Sequence, residues 1–149
     1  LMGMQLSAFV FNGEKVQIEF TDTKLKTKRT IQAMDGKLLR FKAGELFWAW
    51  SLRKEVAQKL GEYLVQSGYF TQQRKTVYVE LKNNKTYHLR FVVQRKVKND
   101  PKALKIMRAE GAKLSAQVFG GAPVVIHLAD GWLTPFHSLP VAQAKPPQQ

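Results

Sequence analysis

The chain carries three histidines, and two of them, His127 and His137, bracket Asp130 across what reads as a single turn. Imidazole changes charge near neutral pH and is a common metal ligand, so this trio could serve acid–base or metal chemistry. Two features count against it. His127 alternates outward between Ile126 and Leu128, and no second carboxylate stands near it. Bound metals ordinarily recruit three or four ligands, so no metal site is assigned and a surface histidine is the plainer reading. The remaining one, His88, falls opposite Glu80 when the surrounding strands pair, and reads as a surface pair.

Other routes to catalysis are closed more firmly. There is no cysteine, which removes disulfides, thiolate metal sites and a thiol nucleophile. No G-x-S-x-G, phosphate-binding P-loop or G-x-G-x-x-G turn occurs. Gly120-Gly121 has neither the lysine nor the following helix and reads as a helix terminator. The acids are scattered, mostly beside a base: Glu14 by Lys15, Glu55 by Lys54, Glu110 near Arg108. Paired acids of the glycosidase kind are therefore not visible locally. Catalysis is not expected and no cofactor is implied; an enzyme with its site around His127 and His137 stands as an alternative.

The strongest signal is charge: 24 Lys+Arg against 11 Asp+Glu, a formal +13 on 149 residues. Such an excess points to an anionic partner, whether nucleic acid, an acidic protein or an anionic membrane surface. The bases cluster. Lys24, Lys26, Lys28 and Arg29 precede or open a strand; Arg74 and Lys75 precede another, with Lys82 and Lys85 at its far turn. Arg95, Lys96, Lys98, Lys102 and Lys105 run from a strand end into a helix. If the first and last groups share a surface, they form a phosphate-attracting site whose affinity falls steeply with salt. A solvated surface is the competing reading. Tyr78 beside Arg90 could stack a base, although an ordinary aromatic–cation pair across strands is the simpler account.

The elements that must position these groups follow from periodicity. Ser7 to Phe20 reads as a hairpin about Asn12-Gly13, and Thr27 to Phe41 as another about Asp35-Gly36, with Ile31 and Ala33 facing Leu38. From Glu45 to Gln66, Leu46, Ala49, Leu52, Val56, Leu60 and Tyr63 recur at helical spacing, and Ser67-Gly68 supplies the stop. Phe47, Trp48 and Trp50 exceed one helical stripe, so Trp48 is the candidate for a contact between chains, possible in a homo-oligomer. Thr76 to Arg95 is a strong hairpin. For Val77, Val79 and Leu81 to share a face with Tyr87, Leu89 and Phe91, its loop at Asn83-Asn84 must have odd length. Asp100-Pro101 caps a second helix whose seam is Leu104, Met107, Gly111, Leu114 and Val118. Gly111 on that seam implies close approach to the sheet. Val124 to Leu128 and Trp132 to Leu139 form the last pair, Pro135 confining the latter to an edge or bulge.

The expected fold is α+β: an antiparallel sheet built from successive hairpins, with two amphipathic helices packed on one face. A helix–hairpin unit recurs, at Glu45 to Arg95 and Pro101 to Leu139, as a pattern of elements and not of sequence. Residues 1–141 read as one domain and 142–149 as a Pro/Gln tail. No apolar run is long enough to span a membrane, and no signal-peptide pattern opens the chain. The start at Leu1, with Met2 and Met4 close behind, suits either a short remnant or a domain cut from a longer protein. A cytoplasmic setting is the default, an exported or excised membrane-protein domain the alternative. The expected function is a non-catalytic basic binding module for an anionic partner. The second reading is a soluble domain of a larger envelope or secretion assembly.

Overall fold

The computed structural model describes residues 17–21, 27–32 and 37–144. Its central element is a six-stranded sheet in strictly sequential order: β3 (Lys37–Phe41), β4 (Gly44–Trp48), β5 (Lys75–Lys82), β6 (Thr86–Val92), β7 (Val124–Ala129) and β8 (Pro135–Ser138). Helix α1 (Lys54–Gln66) joins β4 to β5, and a 3-10 turn (Arg95–Asn99) with helix α2 (Pro101–Gln117) joins β6 to β7. A separate two-stranded ladder pairs β1 (Gln17–Thr21) with β2 (Thr27–Gln32).

The α+β class holds, but the sheet is mixed. Hairpins β3–β4, β5–β6 and β7–β8 are antiparallel, whereas β4–β5 and β6–β7 are parallel. The reason is steric: a strand followed by a helix that lies back along the sheet re-enters in its original direction. Both crossovers step one strand the same way, in opposite strand directions, with both helices over one face. They must therefore have opposite hands, so one of them runs against the usual right-handed preference.

The stretch expected to begin the first helix is a strand. Gly44–Trp48 is buried at every position, with Leu46 and Trp48 in the helix-covered core and Phe47 in a smaller core on the second face. A central strand buried on both sides gives a continuous apolar run, which mimics helical spacing over a few residues. The helix starts at Lys54 and buries Ala57, Leu60, Gly61 and Leu64. The second expected hairpin also divides differently. Leu38 pairs with Phe47 and Ile31 with Ile18. Residues 7–16, 33, 35 and 36, including the Asn12-Gly13 and Asp35-Gly36 turns, lie outside the described residues.

Elsewhere local chemistry and structure agree. Leu81 pairs with Tyr87 and Lys82 with Thr86, giving a three-residue loop; Asn83 and Asn84 supply its positive φ values of 54° and 52°. The Asp100 side chain accepts from the Lys102 and Ala103 amides, with Pro101 opening the helix. A Cβ on Gly111 would lie 2.9 Å from Ala142 Cβ and 3.4 Å from Ile126 Cδ1, so the seam does approach closely. Ala142, read as the start of the tail, exchanges two backbone bonds with Val124, both 2.8 Å. The Ala144 amide donates to the buried Ser115 Oγ. The main core joins both helices to the sheet through Leu46, Leu60, Val77, Leu89, Leu114 and Ile126, each such side chain contributing about 1.5–3 kcal/mol of burial.

Candidate functional site

Strand register sorts the bases by the end of the sheet they occupy. Gly44 pairs with Lys75, Val77 with Phe91 and Val92 with Ala129. The β3–β4 turn, the start of β5, the end of β6 and the end of β7 therefore lie together. Lys42, Arg74, Lys75, Arg95, Lys96 and Lys98 belong to this end, and α2 sets out from it with Lys102 and Lys105 exposed in its first turns. Lys37, Lys82 and Lys85 belong to the opposite end.

Little acid offsets the first group. Asp100 is committed to the helix cap. Asp130 accepts from the Trp132 and Thr134 amides, closing the β7–β8 turn, and its other oxygen lies 3.8 Å from Arg95. Glu45, 4% exposed, is held between Arg40 (3.3 Å), Arg74 (3.5 Å) and the Thr76 hydroxyl (3.4 Å). Lys96, Lys98, Lys102 and Lys105 form no ion pair among the described residues. Aromatic rings accompany the bases. Arg95 lies over Phe136 at 5.1 Å, Lys75 over Tyr69 at 4.4 Å, and Trp132 in the adjoining turn is 41% exposed.

Of the expected anion-binding residues, Arg95, Lys96, Lys98, Lys102 and Lys105 are thus gathered. Lys28 and Arg29 lie on β2, while Lys24 and Lys26 lie outside the described residues, so the joining of the two groups is not described. Trp48 is only 6% exposed and packs in the main core. Trp50 is the member of that aromatic group that reaches solvent, 49% exposed beneath the Lys37 ammonium.

A second polar arrangement crosses the face opposite the helices. His127 pairs with Ser138 and Leu128 with His137. Successive strand residues point to opposite faces, so His127 and His137 are not brought together, and Asp130 is spent on its turn. The site foreseen there does not assemble. Instead, His127 Nδ1 is 2.6 Å from Ser138 Oγ and its Nε2 is 2.9 Å from His88 Nδ1. The two rings stack at 5.2 Å. Glu80, opposite His88 as expected, faces Lys82 at 3.3 Å and Arg90 at 3.7 Å, and accepts from the Tyr78 hydroxyl.

Burial, then His88, Arg90 and Lys82 as neighbouring positive groups, push the His127 imidazole down to about 4. His88 is lowered chiefly by burial, with Lys82 and Arg90 adding to it. Both rings are neutral at pH 7. Nothing in the sequence joins His88 to His127: they meet only because β6 and β7 are parallel neighbours. Among the described residues no group of three or more His, Asp or Glu side chains could hold a metal, and no helix is long and apolar enough to cross a membrane.

No family model, curated protein or solved structure matches this chain. The functional reading therefore rests on the geometry alone. That geometry includes one further feature, a cavity of about 330 Å³ between the two helices, lined by Leu64, Tyr69, Phe91, Ile106, Met107 and Lys75 among others. Its walls also carry Glu110, whose carboxylate accepts from the Tyr63 hydroxyl, so one acid and one base, Lys75, line it and neither sign of charge dominates.

Proposed function

We propose that this chain is a binding module for a polyanion, gripped at the end of the sheet where Arg74, Lys75, Arg95, Lys96, Lys98, Lys102 and Lys105 collect. The carrying observation is that the acids nearby are consumed internally, by a helix cap, a turn and a buried ion cluster. Arg74 and Arg95 share those acids, while Lys96, Lys98, Lys102 and Lys105 beside them form no ion pair among the described residues and face solvent. Such an imbalance stores unneutralised charge at one place, which is what counterion release from a phosphate backbone exploits.

Nucleic acid is the partner this surface suits best. Trp132, Phe136 and Tyr69 set ring faces among the cations, and bases stack on rings without regard to sequence. The test is fluorescence anisotropy with labelled single- and double-stranded oligonucleotides over a salt series. Affinity should fall linearly on a log–log plot, by about 0.9 per phosphate neutralised on duplex DNA. Lys96→Glu with Lys98→Glu should weaken binding without changing the fold. Binding to anionic vesicles but to no nucleic acid would favour the second reading, a docking domain of a larger envelope assembly. No retention on either would refute both.

A further inference from the structure

The chain Ser138–His127–His88 goes beyond the binding reading, because it has the parts of an activated nucleophile. We propose that Ser138 is a catalytic serine that accepts acyl groups from small activated carboxylic esters, with His127 as its general base and His88 as the residue positioning that base.

The geometry supplies each role. Ser138 Oγ sits 2.6 Å from His127 Nδ1, within reach for proton transfer. His127 Nε2 meets His88 Nδ1 at 2.9 Å, so a proton on Nε2, donated to His88, leaves Nδ1 free to accept from the serine. A base oriented by a third group is the recurring form of such sites. Backbone register provides the rest. The Leu139 amide turns inward to the Ile126 carbonyl, 2.9 Å, so by strand alternation the Ser138 amide points to the outer edge of β8, which pairs with no strand among the described residues. There its N–H stands beside its own Oγ, where a developing oxyanion can be held. Ser138 is exposed, whereas both histidines are half-buried, so the nucleophile faces solvent and its base is sheltered. The Ser138 edge borders neither the interhelical cavity nor the groove at Arg53, Tyr87 and Phe119. An exposed serine on an edge strand suits a small acyl group.

The steps balance without a co-reactant. Ser138 Oγ bonds to the ester carbonyl carbon and its proton passes to His127 Nδ1. The tetrahedral adduct collapses, the carbon–oxygen bond to the alcohol breaks, and the departing alkoxide takes the proton from His127. Water then repeats the sequence on the acyl-serine, releasing the acid and restoring the hydroxyl.

The groups facing His127 are His88, Arg90, Lys82 and Glu80, together with Ser138. Their field and burial keep the base neutral down to about pH 4, well below the usual range for histidine. The test treats the intact chain with a fluorophosphonate probe, locates the adduct by peptide mass spectrometry, and follows hydrolysis of p-nitrophenyl acetate. The expected result is a single adduct on Ser138, lost in Ser138→Ala, slowed at least 100-fold in His127→Gln and about 10-fold in His88→Gln. His137→Gln, on the other face, should label at the wild-type rate. Labelling should stay level from pH 8 to about pH 5. Because a variant could lose its fold, Ser138→Cys provides a second measure. Its iodoacetamide rate should exceed that of the same thiol in a His127→Gln background. No adduct at Ser138, an adduct formed equally fast without His127, or a midpoint near pH 6.5 would each overturn the proposal.

Discussion

Gly61 should reject a methyl group, although it sits in the middle of a helix. In most helix interiors Gly→Ala stabilises by about 1 kcal/mol. Here a Cβ would overlap the Phe41 ring. That ring cannot retreat, because it stacks on Phe70 with centroids 6.2 Å apart, and Phe70 is fully buried against Gly44. Two glycines thus clamp a pair of phenyl rings between α1 and the sheet. Overpacking of this kind costs about 1–3 kcal/mol against a propensity gain of about 1 kcal/mol, so Gly61→Ala should destabilise by up to about 2 kcal/mol net. Urea unfolding followed by circular dichroism and tryptophan fluorescence measures it, with an unchanged m-value confirming that the end states are the same. In a Phe41→Leu background the sign should reverse, the same substitution then gaining up to about 1 kcal/mol. Stabilisation of the wild-type chain by Gly61→Ala would refute the clamp.

Asp100→Ala removes the acceptor for two amides and should cost about 1 kcal/mol by the same assay. Ser115→Ala strands the Ala122 carbonyl and the Ala144 amide, both bonded to its fully buried hydroxyl. The expected loss is about 1–3 kcal/mol, together with faster amide exchange at Ala144. His127 titrates lower when folded than when unfolded, so the unfolded chain binds more protons between about pH 6.5 and 4. Stability should therefore fall as pH drops through that window and be regained above it, and His127→Gln should flatten the profile in thermal melts. Glu45→Gln releases Arg40 and Arg74 and should tighten oligonucleotide binding at low salt even as it destabilises the fold.

What the sequence shows depends on how local the cause is. The Asp100 cap and the odd length of the loop at Asn83-Asn84 follow from nearby residues and are legible, though three residues rather than five is seen only in the fold. The strand at Gly44–Trp48 is not, because its burial comes from strands on either side, and neighbours on both faces erase the alternation that marks a strand. Glu45 illustrates the same point: it falls at the start of the stretch read as a helix, yet the fold buries it between Arg40 on β3 and Arg74 just before β5. The Ser138–His127 contact depends on the turn held by Asp130 and on the register shift after Leu128. That turn is fixed by a contact far along the chain. Leu133 adopts φ 62° there, costly for leucine, because its side chain fills the second core beside Phe47 and Tyr78. Its carbonyl accepts from Arg90. The basic segment from Arg95 to Lys105 is visible by composition alone, but its company with Arg74 and Lys75 needs the strand order.

The most direct measurement of the central claim is amide chemical-shift mapping of the isotopically labelled chain titrated with a short single-stranded oligonucleotide at low salt. The polyanion account predicts shifts concentrated at Arg74, Lys75, Arg95 to Lys105 and the Trp132 indole, with Lys37, Lys82 and Lys85 at the opposite end unmoved and the shifts reversed by added salt. Shifts spread evenly over both ends, or none at all, would contradict it.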